Sequence, residues 1–559
     1  MKRNLIFGAL LALGVLAVFA QSVGFDFLRL DDPDYTFRCA FVRNGFTFAG
    51  VAEAFTNFRH GGIWMPLTSL SYMADISLFG PAPWGHHLVN VLLHLAVTLL
   101  VFRLALLVAA DRGNGSALLV FLGTAFWALH PQRAEAVAWI ASRKELLWSF
   151  FALLGLLAWR KEKTVTAIVC CALACLSKPT AMVFPFLALA LDLILARRPK
   201  VLRYLPLLAL AVATGLVAVY SQTHPEGMAE KELFTVSFPM RILNAVKIIG
   251  YVVAQNVWPA GIHLDYRAGA DDFFWMAGAA GVLTALIRLF RREGRLQNLA
   301  LLLWFAAAIG PTLGLFGNFG EQLRADRFIY VPMMAWPLAL ALVSRQIGLN
   351  AVCFGAYAAA FLYFGFVQVR TYRNDVTVFE RTIACDPENG RALVHLGEAK
   401  CAKGDLFAGI EMLRKSRAVR PLADTDAKLA YALMRRGAAY GWSEQDFAEI
   451  RTVCAAVAAN PELDEKGQAL EALGTAALHA HDWTNAAEWL YLSVAAPQRF
   501  YSPEDAKLKL AFAWHNCGRR ADAKRILNQL AESRRADISA RAKTTLIAVY
   551  ENPDVLLIW

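Results

Sequence analysis

Charged residues are scarce in this chain, and their scarcity excludes an ordinary soluble protein. They make up 18% of the 559 residues, whereas 57% are hydrophobic, and the mean hydropathy is +0.41. Soluble domains carry about 25% charged residues. The long apolar runs fall almost entirely within 1–368, while 370–559 has the composition of a charged, alanine-rich helical protein. The sequence therefore predicts an all-α protein with a polytopic membrane domain at 1–369 and a second domain at 370–559.

The sequence also lacks the motifs of several common protein classes. No P-loop, Rossmann glycine pattern, H-E-x-x-H motif or nucleophile elbow occurs in a fitting context, which argues against a soluble nucleotide cofactor on the cytoplasmic side. The nine cysteines do not have metal-ligand spacing, so no metal ligands are predicted. Because a zinc-finger pattern and a basic arm are both missing, the net charge of +11 indicates membrane topology and lipid headgroup contact rather than nucleic-acid binding.

Eleven apolar runs in the first domain are predicted to cross the membrane. A crossing helix needs about 20 apolar residues, or somewhat fewer when its ends snorkel. The segment 241–258 is apolar but carries Asn244, Lys247 and Gln255, so it is placed at the interface instead. The predicted spans are 5–23, 88–108, 117–130, 146–159, 164–177, 179–196, 203–220, 273–290, 298–316, 328–344 and 350–368.

Basic residues between closely spaced spans indicate the orientation. With a cytoplasmic N-terminus, each such cluster lies on the inner side, as the positive-inside rule requires. Eleven crossings then place 370–559 outside the cytoplasm, which is the periplasm if the source is bacterial. The inner clusters are Lys2 with Arg3, Arg112, Arg160 to Lys163, Arg197 to Lys200, and Arg291 to Arg295. The outer connections are 24–87, 130–145, 221–272 and 317–327.

Small residues recur in the second domain with a period of about 34 to 40 residues. The clearest unit runs from Pro387 to Pro421 and has tetratricopeptide spacing. Small residues are needed where the two helices of a repeat pack closely, and stacking buries faces that one unit cannot bury alone. The pattern predicts a tetratricopeptide-repeat solenoid, an architecture that commonly binds peptides or proteins. The small positions of successive first helices are Gly397, Gly437, Gly474 and Ala511.

Three carboxylates lie close together directly after the first predicted span. Asp31, Asp32 and Asp34 fall within four residues, and Pro33 is expected to hold Asp32 in an extended conformation. A carboxylate pair at a membrane surface could act as a general base, with mutual repulsion raising one pKa. An acidic turn and a divalent-cation site are the alternatives.

Polar and basic residues recur at the other outer connections. His87, Asn90 and His94 share one helical face at the start of a span, where His94 is expected to make a structural hydrogen bond. Several outer cations could together hold a phosphate by charge-assisted hydrogen bonds. The alternative is lipid headgroup contact, or ion pairing with Glu135, Glu145 and Asp326. The cations are Arg133, Arg143, Lys144, Lys178, Arg324 and Arg327.

Taken in order, these motifs make the chain resemble a known family. It resembles the transmembrane and tetratricopeptide-repeat-containing O-mannosyltransferases and their bacterial relatives, which have the class C glycosyltransferase fold. The similarity covers nearly the whole membrane part, and each motif alone is weak. The matching stretches are Asp31-Asp32, Trp64 to Thr68 with Phe79-Gly80, His87 to Asn90, His130-Pro131, Glu135 to Trp139, Arg143 to Glu145, Leu176 to Pro179, Val257 to Pro259, and Ala325 to Arg327 with Tyr330 to Pro332.

The resemblance implies transfer of a sugar, mannose in the family, from a polyprenyl-phosphate donor to a protein or peptide hydroxyl on the outer face. It implies Asp31 or Asp32 as the catalytic base. Donor-phosphate contacts would come from Arg143, Lys178 and Arg327. Lys144, Arg324, His87 and Glu135 are further candidates for substrate binding. A third acid, Asp34, and irregular later repeats depart from the family pattern.

Two other functions remain open from the sequence. A non-enzymatic scaffold would use its repeats to recruit partners to an envelope complex. A transporter would require paired inverted repeats and helices broken at mid-membrane, which the sequence does not show convincingly.

Overall fold

In the computed structural model the chain is folded into helices joined by turns. The structure describes residues 2–58, 62–113, 116–224, 237–266, 294–315, 324–343, 348–419, 423–458, 466–496 and 503–552, with a few isolated positions besides. The chain divides into two compact units, 1–381 and 382–559. The division lies slightly beyond the domain boundary predicted at 369/370. The all-α fold class is confirmed.

The first unit contains sixteen α-helices in its described part, the last of which runs across the boundary. They are α1 Lys2–Phe19, α2 Asp32–Tyr35, α3 Phe48–Thr56, α4 Pro66–Phe79, α5 Pro83–Arg112, α6 Ala117–Ala128, α7 Arg133–Ala138, α8 Arg143–Arg160, α9 Thr164–Ser177, α10 Phe184–Ile194, α11 Val201–Thr223, α12 Phe238–Val257, α13 Arg295–Ile309, α14 Ala335–Leu342, α15 Gly348–Arg370 and α16 Asp375–Cys385. Short 3₁₀ turns connect several of them.

Four helices of the described residues are long and apolar enough to cross a membrane, judged by length and composition. They are Lys2–Gly24, Pro83–Arg112, Val201–Thr223 and Ala351–Arg370. Their outward faces carry exposed leucine, valine and phenylalanine, as expected of helices in contact with lipid. All four coincide with predicted spans, which confirms the membrane character of this unit.

Other predicted spans correspond to shorter helices. The predicted span 179–196 is divided because a 3₁₀ turn over Pro179–Val183 precedes α10, and 328–344 contains two such turns before α14. The predicted span 273–290 lies almost wholly outside the described residues. The total of eleven crossings and the orientation of the chain stay predictions.

The backbone at Pro33 differs from the expectation. Asp32 does not lie in an extended segment but begins helix α2, with Asp31 as the preceding cap residue. Proline is tolerated in the first turn of a helix, because the amide hydrogen it lacks would have no partner within the helix. The expectation about Asp32 was therefore wrong, and a tight helical turn presents the two adjacent carboxylates in different directions.

The second unit consists of helix pairs, as predicted for a repeat solenoid. The side-chain oxygen of Asn389 caps the first of these helices, because it accepts a hydrogen bond from the backbone amide of Ala392 at 2.9 Å. The helices are α17 Gly390–Ala402, α18 Leu406–Val419, α19 Ala423–Tyr440, α20 Glu444–Ala458, α21 Lys466–His479, α22 Trp483–Ala495, α23 Glu504–Asn516, α24 Arg520–Ala531 and α25 Ala536–Glu551.

The predicted small positions lie where paired helices approach each other. A Cβ atom added at Gly397 would come within 2.8 Å of Leu413, and one added at Gly474 within 2.4 Å of Leu490. At Gly437 the neighbour is the ring of Trp442, at 2.5 Å, and Ala511 is fully buried. Gly397 and Gly474 are therefore required by the close packing of a helix pair, and Gly437 by the Trp442 ring in the turn that follows its helix.

Candidate active site

Asp32 joins two distant segments of the first unit. Its side chain is fully buried. One carboxylate oxygen accepts from the backbone amide of Leu28 at 2.8 Å, and the other accepts from the amide of Ala141 at 2.8 Å. The first loop is thereby attached to the turn between α7 and α8. Both oxygens of Asp32 are used to hold the backbone.

Burial also controls the charge of Asp32. The loss of solvent raises the pKa of its carboxyl from 3.8 to about 8, against the opposing effect of the two amide hydrogen bonds. The negative charges of Asp31 and Asp375 raise it further. Because Asp32 is fully buried and both of its oxygens already accept backbone amides, a substrate hydroxyl has no free oxygen of Asp32 to approach.

Asp31 has different surroundings, although it is the adjacent residue. It is half-buried, and its side chain does not cap α2. Its charge acts on Lys144 and Arg327. Asp34, the third acid, points to solvent. Asp31 is thus accessible, and its charge acts on two cations.

The charge of Asp31 acts on two cations, Lys144 and Arg327, and a third cation, Lys178, acts on Lys144. Two of these three cations are neutralised. Lys178 forms an ion pair with Glu145, and Arg327 forms one with Glu135. The backbone amide of Arg327 also donates to Glu135, at 3.1 Å. Among the residues that the structure describes, Lys144 has no carboxylate within ion-pair distance.

Lys144 is also the cation whose charge is least favoured by its surroundings. It is buried, and burial lowers the pKa of its ammonium group to about 8, while attraction to Asp31 opposes that shift. Its nitrogen lies 3.4 Å from the hydroxyl of Tyr35 and 4.5 Å from the centre of that ring. An incoming anion would supply the charge compensation that the protein itself does not provide.

Aromatic rings form the walls of the cluster. Phe328 lies 5.1 Å from the Lys178 nitrogen and 4.7 Å from the Arg327 guanidinium. Trp139 lies 5.0 Å from the same guanidinium. Such rings exclude water and stabilise the cations through their π faces, so charges here interact more strongly than at an open surface.

Arg143 lies outside this cluster, although it precedes Lys144 directly. It is fully buried, pairs with Asp75, and donates to Asn90 at 2.8 Å and to the carbonyl of His86 at 2.7 Å. Tyr72 lies under its guanidinium at 4.6 Å. Arg143 therefore connects α4, α5 and α8, and its guanidinium is occupied by these partners; its predicted contact with a donor phosphate stays a prediction.

The remaining predicted residues occupy other positions. Arg324 stacks between Tyr251 and Tyr266, 4.0 and 3.7 Å from their ring centres. It lines a small cavity with Gln132, Gln255 and Asp326. His87 is buried against Phe25, and one of its ring nitrogens lies 3.4 Å from the carbonyl of Asp26.

His94 makes a structural hydrogen bond, as expected. One ring nitrogen lies 2.7 Å from the hydroxyl of Tyr330, and the other lies 3.1 Å from the carbonyl of Ala128. Both nitrogens are thus occupied by partners on neighbouring segments of the bundle.

Sequence reasoning missed four contributors to this region. Tyr35 and Trp139 line the cluster, and Asp75 and His86 hold Arg143. A signal existed for Asp75, because a single acid within an otherwise apolar helix needs a buried partner. Among the described residues no group of three His, Cys, Asp or Glu side chains could hold a metal ion. All nine cysteines lie within the described residues, and none of them forms a disulfide bond.

Part of the chain is similar to known proteins. No protein-family model matches the chain. A protein O-mannosyl-transferase of Caenorhabditis elegans is 24% identical over 303 residues, covering 51% of this chain and 43% of that protein. Tmtc1 of Drosophila melanogaster is 37% identical over 101 residues and TMTC2 of Mus musculus 40% over 99, each covering 18% of this chain and 11% of the relative.

These curated relatives are protein O-mannosyl-transferases. The resemblance inferred from the ordered motifs is thereby confirmed. The chain spans less than half the length of each of these protein O-mannosyl-transferases in its alignment. The activity in these names belongs to the relatives, and for this chain it is a proposal.

Proposed function

We propose that the chain is a membrane glycosyltransferase that moves mannose from a polyprenyl-phosphate donor to a hydroxyl group of a protein or peptide. The names of its relatives support a glycosyltransferase. The observation on which the proposal depends most is the different use of two adjacent carboxylates. Asp32 is buried and bound to backbone amides, whereas Asp31 is accessible and its charge acts on Lys144.

Asp31 is the general base in this proposal. The acceptor hydroxyl gives its proton to Asp31 while its oxygen attacks the anomeric carbon of the donor sugar. The bond between that carbon and the phosphate oxygen breaks, and the lipid phosphate leaves with the electron pair. Attack from the side opposite to the leaving group inverts the anomeric configuration.

Lys144 and Arg327 stabilise the leaving phosphate. Negative charge accumulates on the phosphate as the bond breaks, and fixed cations in a site with little water stabilise that charge strongly. Among the described residues Lys144 has no carboxylate within ion-pair distance, whereas the guanidinium of Arg327 is oriented by Glu135. Lys178, held by Glu145, lies near the same Phe328 ring as Arg327 and contributes to the same field.

The acceptor is assigned to the repeat unit. Solenoids of stacked helix pairs present extended surfaces that bind peptides and proteins. Half-buried charged residues of the first helices, such as Lys428 with Glu398, offer polar contacts to such a chain. We place this reaction on the outer face of the membrane, in accord with the orientation predicted from the basic residues.

The test is mannose transfer by the purified full chain from a polyprenyl-phosphate mannose to a peptide library. Asp31→Asn is expected to lower turnover by at least about 10²-fold, because the base is removed while the fold is kept. Asp34→Asn is the matched control, since this acid faces solvent and should keep its turnover. Parallel reactions with and without EDTA test for a divalent cation.

Retained turnover in Asp31→Asn would remove the proposed base. A complete lack of transfer by the wild type, together with an envelope defect on deletion of 382–559, would favour the scaffold function instead. Thermal unfolding of each variant distinguishes a lost base from a lost fold.

A further inference from the structure

Two neighbouring helices end in the same unusual way. Helix α8 is followed by Glu162 with φ of 59°, and α10 by Ala196 with φ of 53°. Glycine normally occupies such left-handed positions at helix ends. Both ends are closed by the same two backbone hydrogen bonds, from amide to carbonyl. After α8 they run from Lys163 to Ala158 and from Glu162 to Trp159. After α10 they run from Arg197 to Asp192 and from Ala196 to Leu193.

The two turns are bound to each other. Arg197 donates to the carbonyl of Arg160 at 2.6 Å, and Lys200 pairs with Glu162 at 3.0 Å. Arg203 donates to the hydroxyl of Thr164 at 2.9 Å. Residues 160–164 and 196–203 therefore form one surface, which we call the paired-turn surface.

Positive charge dominates the paired-turn surface. Glu162 is its single acid, and it is already paired with Lys200. Arg160 is paired with Asp111 from the end of α5. Lys161, Lys163 and Arg198 are exposed and have no carboxylate within ion-pair distance among the described residues. The basic residues are Arg160, Lys161, Lys163, Arg197, Arg198, Lys200 and Arg203.

Exposed apolar side chains lie directly beside these cations. Val165 is 75% exposed, Val201 is 71% exposed and Leu202 is 79% exposed. The candidate membrane span Val201–Thr223 begins immediately after Lys200. Cations at the end of a span and apolar groups one turn further match the depth of phosphate headgroups and of the first acyl carbons.

We propose that the paired-turn surface binds an anionic phospholipid. Lys161, Lys163 and Arg198 would hold the headgroup phosphate, and the acyl chains would lie against Val165 and Leu202. The left-handed turns place these cations on two segments that are hydrogen-bonded to each other. The inference does not depend on the glycosyltransferase proposal, because it concerns neither the acidic cluster nor the donor.

Native mass spectrometry of the purified full chain in detergent can test this assignment. The protein is titrated with dioleoyl phosphatidylglycerol or dioleoyl phosphatidylcholine, and retained lipid is counted. The test variant is Lys161→Gln/Lys163→Gln/Arg198→Gln, and the control Lys403→Gln/Arg534→Gln/Lys543→Gln removes the same charge from the repeat unit. Each surface cation contributes about fivefold to the binding of anionic lipid. Loss of three should therefore weaken phosphatidylglycerol retention by roughly 100-fold.

The wild type and the control variant are expected to retain phosphatidylglycerol in preference to phosphatidylcholine. Equal retention of phosphatidylglycerol by the wild type and the test variant would overturn the proposal, as would equal retention of both lipids by the wild type. Retention of a soluble protein in place of phosphatidylglycerol would overturn it too. Recovery in Lys161→Arg/Lys163→Arg/Arg198→Lys would show that charge, rather than side-chain shape, is recognised.

Discussion

The backbone amide of Ala141 donates to the carboxylate of Asp32 across 109 residues of sequence. This bond and the one from Leu28 fix the position of α2 and therefore of Asp31. Asp32, the residue next to the proposed base, therefore has a structural role. Asp31 can face the cations only while Asp32 holds the turn between α7 and α8.

Asp32→Asn is expected to destabilise the protein. An amide offers one accepting oxygen, so one of the two backbone amides would lose its partner in a buried place. The cost of such an unsatisfied group is about 1–3 kcal/mol. Thermal unfolding of the purified protein measures the loss, and Asp34→Asn, at an exposed position, should change stability by less than about 0.5 kcal/mol. Equal midpoints for the two variants would contradict this structural role.

Stability should fall with rising pH because of Asp32. The folded state raises the pKa of this carboxyl from 3.8 to about 8 and so binds the proton more tightly than the unfolded chain does. The stabilising contribution is fully present below pH 3.8 and is lost as the pH rises towards about 8. The difference in thermal midpoint between wild type and Asp32→Asn, followed from pH 5 to pH 9, reports this effect. Parallel curves would show that Asp32 does not titrate in that range.

Substitution of Lys144 should affect donor binding more than folding. Removing a buried cation without a carboxylate partner leaves no unpaired charge, so Lys144→Met should keep its thermal midpoint. The KM for the polyprenyl-phosphate donor should rise about 10–100-fold, since a hydrogen bond to a charged group contributes about 1.5–3 kcal/mol. Steady-state kinetics at varied donor concentration provide the measurement.

Lys178→Met is the comparison for Lys144→Met. This change leaves Glu145 buried without its ion pair and should cost about 3–5 kcal/mol of stability. If the two variants had the same midpoint and the same KM, the structural distinction between the cations would be wrong.

Arg143→Lys should destabilise the bundle and leave the donor KM unchanged. The guanidinium contacts Asp75, Asn90 and the carbonyl of His86 through three different nitrogen atoms. The single ammonium group of lysine cannot contact all three partners in the same geometry. We expect a loss of roughly 3 kcal/mol in thermal unfolding. A large rise in donor KM at a temperature where the variant is folded would place Arg143 in the donor site.

Gly397→Ala should loosen the first helix pair of the repeat unit. The added methyl would lie 2.8 Å from Leu413 and 2.9 Å from the carbonyl of Gly409. Overpacking of this kind costs about 1–3 kcal/mol. Hydrogen exchange in the full chain should speed up within α17 and α18, whereas Ala402→Ser, at an exposed position of α17, should leave exchange unchanged.

Features that depend on local periodicity could be read from the sequence. Gly397, Gly437 and Gly474 were assigned to helix contacts, and each one faces a neighbouring residue at short distance. The acidic cluster after the first span was also found, because three carboxylates stand together in the chain. Each of these patterns is complete within a few tens of residues.

The division of labour between Asp31 and Asp32 could not be read in the same way. It depends on the amide of Ala141, which belongs to a different segment. Arg143 looked like an outer cation because its charged neighbours follow it directly, yet its partner Asp75 lies in α4, within what the sequence presented as a long loop. Distant pairing of this kind leaves no mark on local composition.

The ion pair of Glu135 with Arg327 has a consequence for biosynthesis. The carboxylate is translated 192 residues before its counter-ion. While the nascent chain emerges, Glu135 must therefore carry a proton or stay in contact with water. Glu135 can be buried as an ion pair only after Arg327 has been synthesised. A truncated polypeptide that ends before Ala325 would therefore leave the Glu135 side chain without its counter-ion and its surroundings open to proteases.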